Sequence, residues 1–277
     1  MSIEKDDPAE HYDRVTRAWQ YLLGANLHYG YFSSPRDDLE TATLALTARM
    51  AERAELTNDL RVLDVGCGLG TPALHLASTF ECNVLGITTS KVGVEMATSQ
   101  AASHPHGHRV KFEQRDAMDN QLPAETFDRV WAMESSHLME NKKQLISECA
   151  RVMKRGAKFV LCDINQHQPL DMKFVLAHAK EFDLLRRVYG RAKMETTSAY
   201  RSWCETAGLE VTSIDDISDE TICTFERWKD NADKYKNEVI ELIGIQSYED
   251  FKSSCDILKG LWRDRVLGYF ILAAQKP

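Results

Sequence analysis

The run Trp131-Ala132-Met133-Glu134-Ser135-Ser136-His137 ends a short apolar segment with a carboxylate and an imidazole three positions apart. Groups of these types can hold or remove the proton of a reacting atom if burial and neighbours tune them toward the working pH. The structural alternative is that Glu134 caps the following turn and His137 packs in the core. A second chemical signal lies upstream, where Arg61-Val62-Leu63-Asp64-Val65-Gly66-Cys67-Gly68-Leu69-Gly70-Thr71 reads as a buried strand, a glycine-rich turn and the start of a helix. Such a turn lets backbone approach a ligand where side chains would otherwise stand. A tight turn with no ligand is the bland reading of the same residues.

A dinucleotide site would require GxGxxG and an acidic residue some 20 positions later for the ribose hydroxyls. Here the glycines are spaced GxGxG, and the next predicted strand ends Gly86-Ile87-Thr88-Thr89-Ser90 without a carboxylate. Both details count against a nicotinamide cofactor.

The elements that must position these residues follow from hydrophobic patterning. Between about residues 60 and 165, strand and helix patterns alternate, which predicts a parallel sheet covered on both faces. The predicted strands are Arg61–Val65, Asn83–Thr88, Arg109–Gln114, Phe127–Met133 and Lys158–Asp163, with two more at Leu209–Ile217 and Leu267–Ala274, the last of them able to run antiparallel. Thr71-Pro72 opens one helix, Ser90 is the N-cap of another, and Leu145, Ile146, Cys149, Val152 and Met153 form one apolar stripe over Asn141–Met153. Further helices are expected over Asp38–Leu56, Leu170–Tyr189, Ser198–Ala207, Asp219–Gly244 and Tyr248–Arg263. The fold class is therefore α/β: a doubly wound, seven-stranded, mostly parallel sheet in one domain over residues 1–277. Within it we expect an N-terminal helical cap (1–58), a cofactor-binding core (59–165), a helical lid insertion (166–200) and C-terminal strands with acceptor-pocket helices (201–277).

The glycine turn Leu63-Asp64-Val65-Gly66-Cys67-Gly68-Leu69-Gly70 resembles the first motif of class I S-adenosylmethionine-dependent methyltransferases. Glu113-Gln114-Arg115-Asp116-Ala117-Met118 is similar to the family's adenine-binding turn, and Arg151-Val152-Met153-Lys154-Arg155-Gly156-Ala157 resembles its R-V-L-K-P-G-G turn with the proline and one glycine missing. Gly86-Ile87-Thr88-Thr89-Ser90 is similar to the G-I-T-x-S pattern of the small-molecule branch containing sterol, tocopherol, sarcosine-dimethylglycine and antibiotic-tailoring enzymes. His28-Tyr29-Gly30-Tyr31-Phe32 resembles that branch's H-x-G-[YF]-[WF] segment. The resemblance implies S-adenosyl-L-methionine as cofactor, with Gly66, Cys67 and Gly68 along its amino-acid end. Ile87, Thr88 and Thr89 would face its ribose and Asp116 and Ala117 its adenine. Met133 lies beside the site, and Tyr12, Tyr21 and Tyr31 are candidates for an aromatic lid, with core packing as their alternative.

Methyl transfer from a sulfonium is an in-line displacement that needs alignment and exclusion of water, with no metal. Sites in open α/β sheets lie beyond the carboxyl ends of the strands near the reversal of strand order. Glu134 falls there as acceptor-side carboxylate or base, and His137 as an assisting base or orienting group. The acceptor is expected to be a small natural product or specialised metabolite, methylated at carbon, nitrogen or oxygen. Phe174, Phe182, Tyr189, Tyr200, Phe225, Trp228 and Trp262 are candidates to line its pocket or to be core. A non-catalytic S-adenosylmethionine-binding protein is the competing reading, since the motifs report binding rather than turnover.

Bulk properties narrow the partners. A net charge of -8 argues against nucleic acid, and no apolar run reaches the length of a membrane span. Cys67, Cys82, Cys149, Cys162, Cys204, Cys223 and Cys255 show no ligand-like spacing and read as reduced thiols. With no leader pattern at Met1 the expected location is the cytoplasm, as a monomer or homodimer. His104-Pro105-His106-Gly107-His108 lacks companion metal ligands and reads as a solvated loop, and the charges from Lys229 to Lys236 as a solvated helix face.

Overall fold

The computed structural model describes residues 16–277. Eight strands form one sheet: β1 (Arg61–Val65), β2 (Asn83–Thr88), β3 (Val110–Gln114), β4 (Phe127–Met133), β5 (Met153–Gln166), β6 (Glu195–Thr196), β7 (Glu210–Asp216) and β8 (Leu267–Gln275). Their spatial order is β3-β2-β1-β4-β5-β8-β7, with the two-residue β6 pairing the end of β5. The five strands from β3 to β5 are parallel, and β8 runs antiparallel to both β5 and β7. Strand order reverses between β1 and β4, which opens a crevice at their carboxyl ends. The seven expected strands are all present; β6 is additional, because two residues of no hydrophobic pattern leave nothing for periodicity to detect.

The helices covering the sheet are α1 (Leu39–Arg53), α2 (Thr71–Phe80), α3 (Lys91–Ser103), α4 (Lys142–Val152), α5 (Met172–Ala177), α6 (Ala179–Tyr189), α7 (Thr197–Thr206), α8 (Ser218–Thr221), α9 (Thr224–Lys234) and α10 (Lys236–Arg263). Their ends obey local chemistry. Pro72 sits in the first turn of α2, Ser90 Oγ accepts the Gly93 N–H at the start of α3, and Asn141 caps α4. The expected helix at Asp219–Gly244 is divided among α8, α9 and the start of α10, and Gly244 interrupts α10 with a non-helical φ of 81°. The lid region is likewise two helices rather than one, α5 and α6 meeting at His178.

Alternation along the strands sends side chains to opposite faces and so builds two cores. Val62, Trp131 and Val160 join one cluster with Leu46, Met50, Leu74 and Trp262, under α1, α2 and α10. Leu63, Val130, Phe159 and Leu161 join the other with Leu145, Ile146 and Tyr200, under α4 and α7. The sheet is thereby fixed from both sides, and the loops at its carboxyl edge hang from a rigid frame.

Candidate active site

A cavity of about 1350 Å³ opens at the carboxyl ends of β1, β2 and β4. That exceeds the roughly 300–1,000 Å³ of a single small-molecule site and leaves room for two ligands side by side. Gly66, Cys67, Gly68, Ile87, Thr88, Thr89, Asp116, Ala117 and Met133 all line it, as do Glu134 and His137. The aromatic lid candidates fare differently. Tyr12 lies outside the described residues. Tyr21 is 38% exposed and packs against Tyr235, while the Tyr31 hydroxyl accepts a hydrogen bond from Arg49 at 2.7 Å beside a separate shallow groove. Neither ring lines the cavity; Leu27 and His28 do so in their place. Within the same segment, Tyr29 turns inward and stacks on Trp262 with ring centroids 5.6 Å apart, anchoring the segment to the core.

The glycine turn is shaped by what its backbone must do. The Gly66 and Cys67 N–H groups both donate to the Ile87 carbonyl, at 2.8 and 3.1 Å, drawing the end of β1 across to β2. Gly66 has a φ of +78°, and a Cβ there would fall 2.3 Å from the Ser135 Cβ. Only glycine fits that position. Ser135 Oγ in turn donates to the Val65 carbonyl at 2.7 Å, tying the end of β4 to the end of β1. Asp64 is 2% exposed, its Oδ2 has no partner among the described residues, and burial pushes its carboxyl up to about 7. A buried carboxyl oxygen left open on a cavity wall can accept from a ligand cation. Asp116 Oδ1 accepts the Met118 N–H at 2.8 Å, shaping the turn after β3. S-adenosylmethionine, with an α-ammonium, a sulfonium and an adenine amino group, fits this set of acceptors and this glycine-rich turn.

The facing wall is built from proton-carrying groups. His137 Nδ1 lies 2.7 Å from Asp163 Oδ1, and Asp163 is wholly buried in the last third of β5. Burial raises the Asp163 carboxyl, but the adjoining imidazole and donors from Ser136 and the Ile164 N–H outweigh it and hold the group below the usual carboxylate range. The His137 N–H adds a bond to Oδ2 at 2.9 Å, and Ser136 Oγ bonds the same oxygen. An ionised carboxylate only accepts, so Nδ1 carries the hydrogen and Nε2 is the basic nitrogen. Asp163 was not singled out by its sequence. The available signal was its position, a carboxylate closing the strand beside β4.

Glu134 is held differently. Its backbone lies in the left-handed region at φ 47°, and its Oε1 accepts both the Tyr29 N–H at 2.7 Å and the Tyr269 hydroxyl at 2.5 Å. Burial pushes the carboxyl up to about 8 against those two donors. Glu134 thus fastens the N-terminal segment and β8 to the end of β4, and near neutrality it is largely protonated. A non-glycine residue in that conformation is over-determined by its surroundings, a feature that clusters at functional sites.

None of Phe174, Phe182, Tyr189, Tyr200, Phe225, Trp228 and Trp262 lines the cavity. Tyr200, Phe225, Trp228 and Trp262 are core, at most 2% exposed. The cavity is also walled by Leu138, Met139 and Glu140 after β4 and by Arg191, Ala192 and Lys193 before β6. The Lys193 N–H donates to the His137 carbonyl at 2.8 Å, which joins these two stretches. No group of three or more potential metal ligands occurs among the described residues. No described helix is long and apolar enough to cross a membrane.

Comparison with known proteins identifies the family of the chain. The family model for mycolic acid cyclopropane synthetase matches residues 2–267. A curated relative, 27-O-demethylrifamycin SV methyltransferase of Amycolatopsis mediterranei, is 30% identical over 267 residues, 96% of this chain and 95% of its own length. Among solved structures, the [4+2]-cyclase SpnF superposes with a TM-score of 0.83 at 26% identity, covering 97% of this chain and 95% of that one. The mycolic acid cyclopropane synthase CmaA1, solved with S-adenosylhomocysteine and CTAB, gives 0.87 at 18% identity over 100% and 99%, and shares the fold.

Proposed function

We propose that this chain, which belongs to the mycolic acid cyclopropane synthetase family and is an S-adenosylmethionine-dependent methyltransferase, methylates a hydroxyl oxygen of a small natural-product acceptor. The observation that carries oxygen over nitrogen is the His137 imidazole on the cavity wall, backed by the buried Asp163 carboxylate. A neutral amine already presents a lone pair, whereas a hydroxyl must shed its proton as its oxygen attacks, and that proton needs a positioned base. The curated relative at 30% identity is itself named for an O-demethylated substrate.

Bound S-adenosylmethionine supplies an electrophilic methyl group on a positively charged sulfur. The turn at Gly66, Cys67 and Gly68 would hold its amino-acid end, with Asp64 facing the ammonium. Thr88 and Thr89 would hold the ribose, and Asp116 and Ala117 the adenine. His137 Nε2 would take the acceptor's hydroxyl proton as its oxygen attacks the methyl group. Asp163 keeps the imidazole in the tautomer that leaves Nε2 free and balances the imidazolium that results. Glu134 secures the segment carrying Leu27 and His28 over the cavity. Leu138, Met139 and Ala192 give the acceptor an apolar wall, with Arg191, Lys193 and Glu140 at hand for its polar groups. All seven cysteines are free thiols, which suits a reducing cytoplasm, and we place the enzyme there as a monomer or homodimer.

The test is a panel of hydroxylated natural products assayed for S-adenosylhomocysteine release together with acceptor consumption. His137→Gln should lose on the order of 10²-fold or more in kcat while binding S-adenosylhomocysteine as before. Unchanged turnover would remove the base. Acceptor consumption without S-adenosylhomocysteine release would instead favour a cyclisation of the kind named for SpnF.

A further inference from the structure

We infer that Tyr200 and Ser136 are positioning residues for methyl transfer, forming with Asp163 a directed hydrogen-bond chain that sets the basicity of His137. The inference rests on the reading of His137 as the base. It goes beyond that reading by assigning a role to a helix residue that touches neither ligand.

The direction of the chain follows from which atoms can donate. Asp163 Oδ2 only accepts, so the single hydroxyl hydrogen of Ser136 is committed to it. Ser136 Oγ also lies 2.6 Å from Tyr200 Oη, and with its own hydrogen spent it must be the acceptor there. Tyr200 therefore donates to Ser136, Ser136 to Asp163, and His137 Nδ1 to Asp163 from the opposite side. Ser136, Asp163 and Tyr200 are each fully buried, so no water competes for these bonds. Burial and the neighbouring Asp163 raise the Tyr200 phenol well above its ordinary range, which keeps its hydrogen in place. The ring is fixed by contacts with Trp203 and Phe270, at centroid distances of 5.4 and 5.1 Å. Alternation along β8 turns Phe270 toward α7 and Tyr269 toward Glu134, so adjacent residues of one strand brace the two proton-carrying groups of the site.

Each donor on Asp163 draws off part of its negative charge. A carboxylate with fewer donors exerts a stronger field on the imidazole and favours its charged form. Removing the hydroxyl of Tyr200 leaves Ser136 less polarised, and removing that of Ser136 strips Oδ2 of one of its two donors. In both cases His137 should become more basic. Glu134 and Lys142 also interact electrostatically with Asp163, and Lys193 and Glu195 with Lys142. They are unchanged in every variant below.

The experiment is an NMR titration of the His137 imidazole in 15N-histidine-labelled protein without ligands, its resonance identified by its loss in His137→Gln. Tyr200→Phe keeps the ring and its packing and deletes only the hydroxyl. It should move the His137 midpoint upward by roughly a few tenths of a pH unit, and Ser136→Ala by more. In the Ser136→Ala background, Tyr200→Phe should add nothing, since its route to Asp163 is gone. Should Ser136→Ala not fold, Ser136→Gly serves in its place. A His137 titration in Tyr200→Phe that overlays the parent's overturns the inference. So does a Tyr200→Phe shift that persists at full size without the Ser136 hydroxyl. These readings require no methyl transfer, so failure of the base assignment, seen as full activity in His137→Gln, stays separate from failure of the chain.

Discussion

The two walls of the cavity are built on opposite plans. The proposed cofactor wall comes from three successive strand ends close together in the chain, residues 66–68, 87–89 and 116–117, and its first turn hangs from β1, pinned by two N–H groups on the Ile87 carbonyl. The acceptor wall is assembled from side chains far apart in the chain. Asp163 meets His137 across 26 positions, Tyr200 meets Ser136 across 64, and Glu134 meets Tyr29 across 105 and Tyr269 across 135. Binding a common cofactor asks only for a fixed backbone cradle. Proton transfer to a particular acceptor asks for side chains whose pKa values are set by burial and partners, and those partners come from wherever the fold supplies them.

The sharpest way to separate the walls is Asp163→Asn, which keeps the shape of the acceptor wall but removes the charge that fixes the His137 tautomer. A fall in kcat on the order of 10²–10⁴-fold is expected, with S-adenosylhomocysteine affinity within about threefold of the parent. Isothermal titration calorimetry beside steady-state kinetics reads both numbers, and a parallel loss of cofactor affinity would show the walls to be one unit. Gly66→Ala attacks the other wall. The strain of a side chain at a φ of +78°, with its Cβ driven toward Ser135, should weaken S-adenosylhomocysteine binding by about 10- to 100-fold. Calorimetry on the folded variant decides it.

Glu134→Gln probes the clasp between the walls. The carboxyl's pKa in the folded protein, about 8, lies above its ordinary value. The folded state therefore binds more protons than the unfolded state between roughly pH 4.5 and 8. Parental stability should fall as pH rises through that window, and Glu134→Gln, which cannot ionise, should lose less. Thermal unfolding at pH 6 and pH 9 measures the difference, and identical pH dependence in the two proteins would show that Glu134 is ionised throughout. The smallest effect is expected at Tyr31. Its hydroxyl serves Arg49 outside the cavity, so Tyr31→Phe should alter cofactor affinity and kcat by less than about twofold. A larger loss would restore the ring to the lid.

The contrast between the walls also explains what could be read in advance. Every strand from β1 to β5 was visible from its hydrophobic run, and the glycine turn from its spacing, because periodicity and backbone sterics are local. The position of Glu134 and His137 on the cavity followed from their place at the end of β4. Tyr21 and Tyr31 do not reach the cavity because a segment with aromatic residues at several positions does not reveal which rings turn inward; Tyr29 is the anchor in the core, and Tyr31 turns to Arg49. Of the aromatics that could line the pocket or be core, Tyr200, Phe225, Trp228 and Trp262 take the core alternative, since large buried rings serve packing at least as often as recognition.

By itself the sequence determined the alternation of strand and helix and the cradle of glycines, both consequences of interactions among neighbours in the chain. Tertiary structure alone decided that Asp163 would orient His137, that Tyr200 would reach Ser136, and that Glu134 would clasp Tyr29 and Tyr269. Those bonds join residues whose separation in sequence carries no pattern, and the burial that gives them strength exists only once both faces of the sheet are packed.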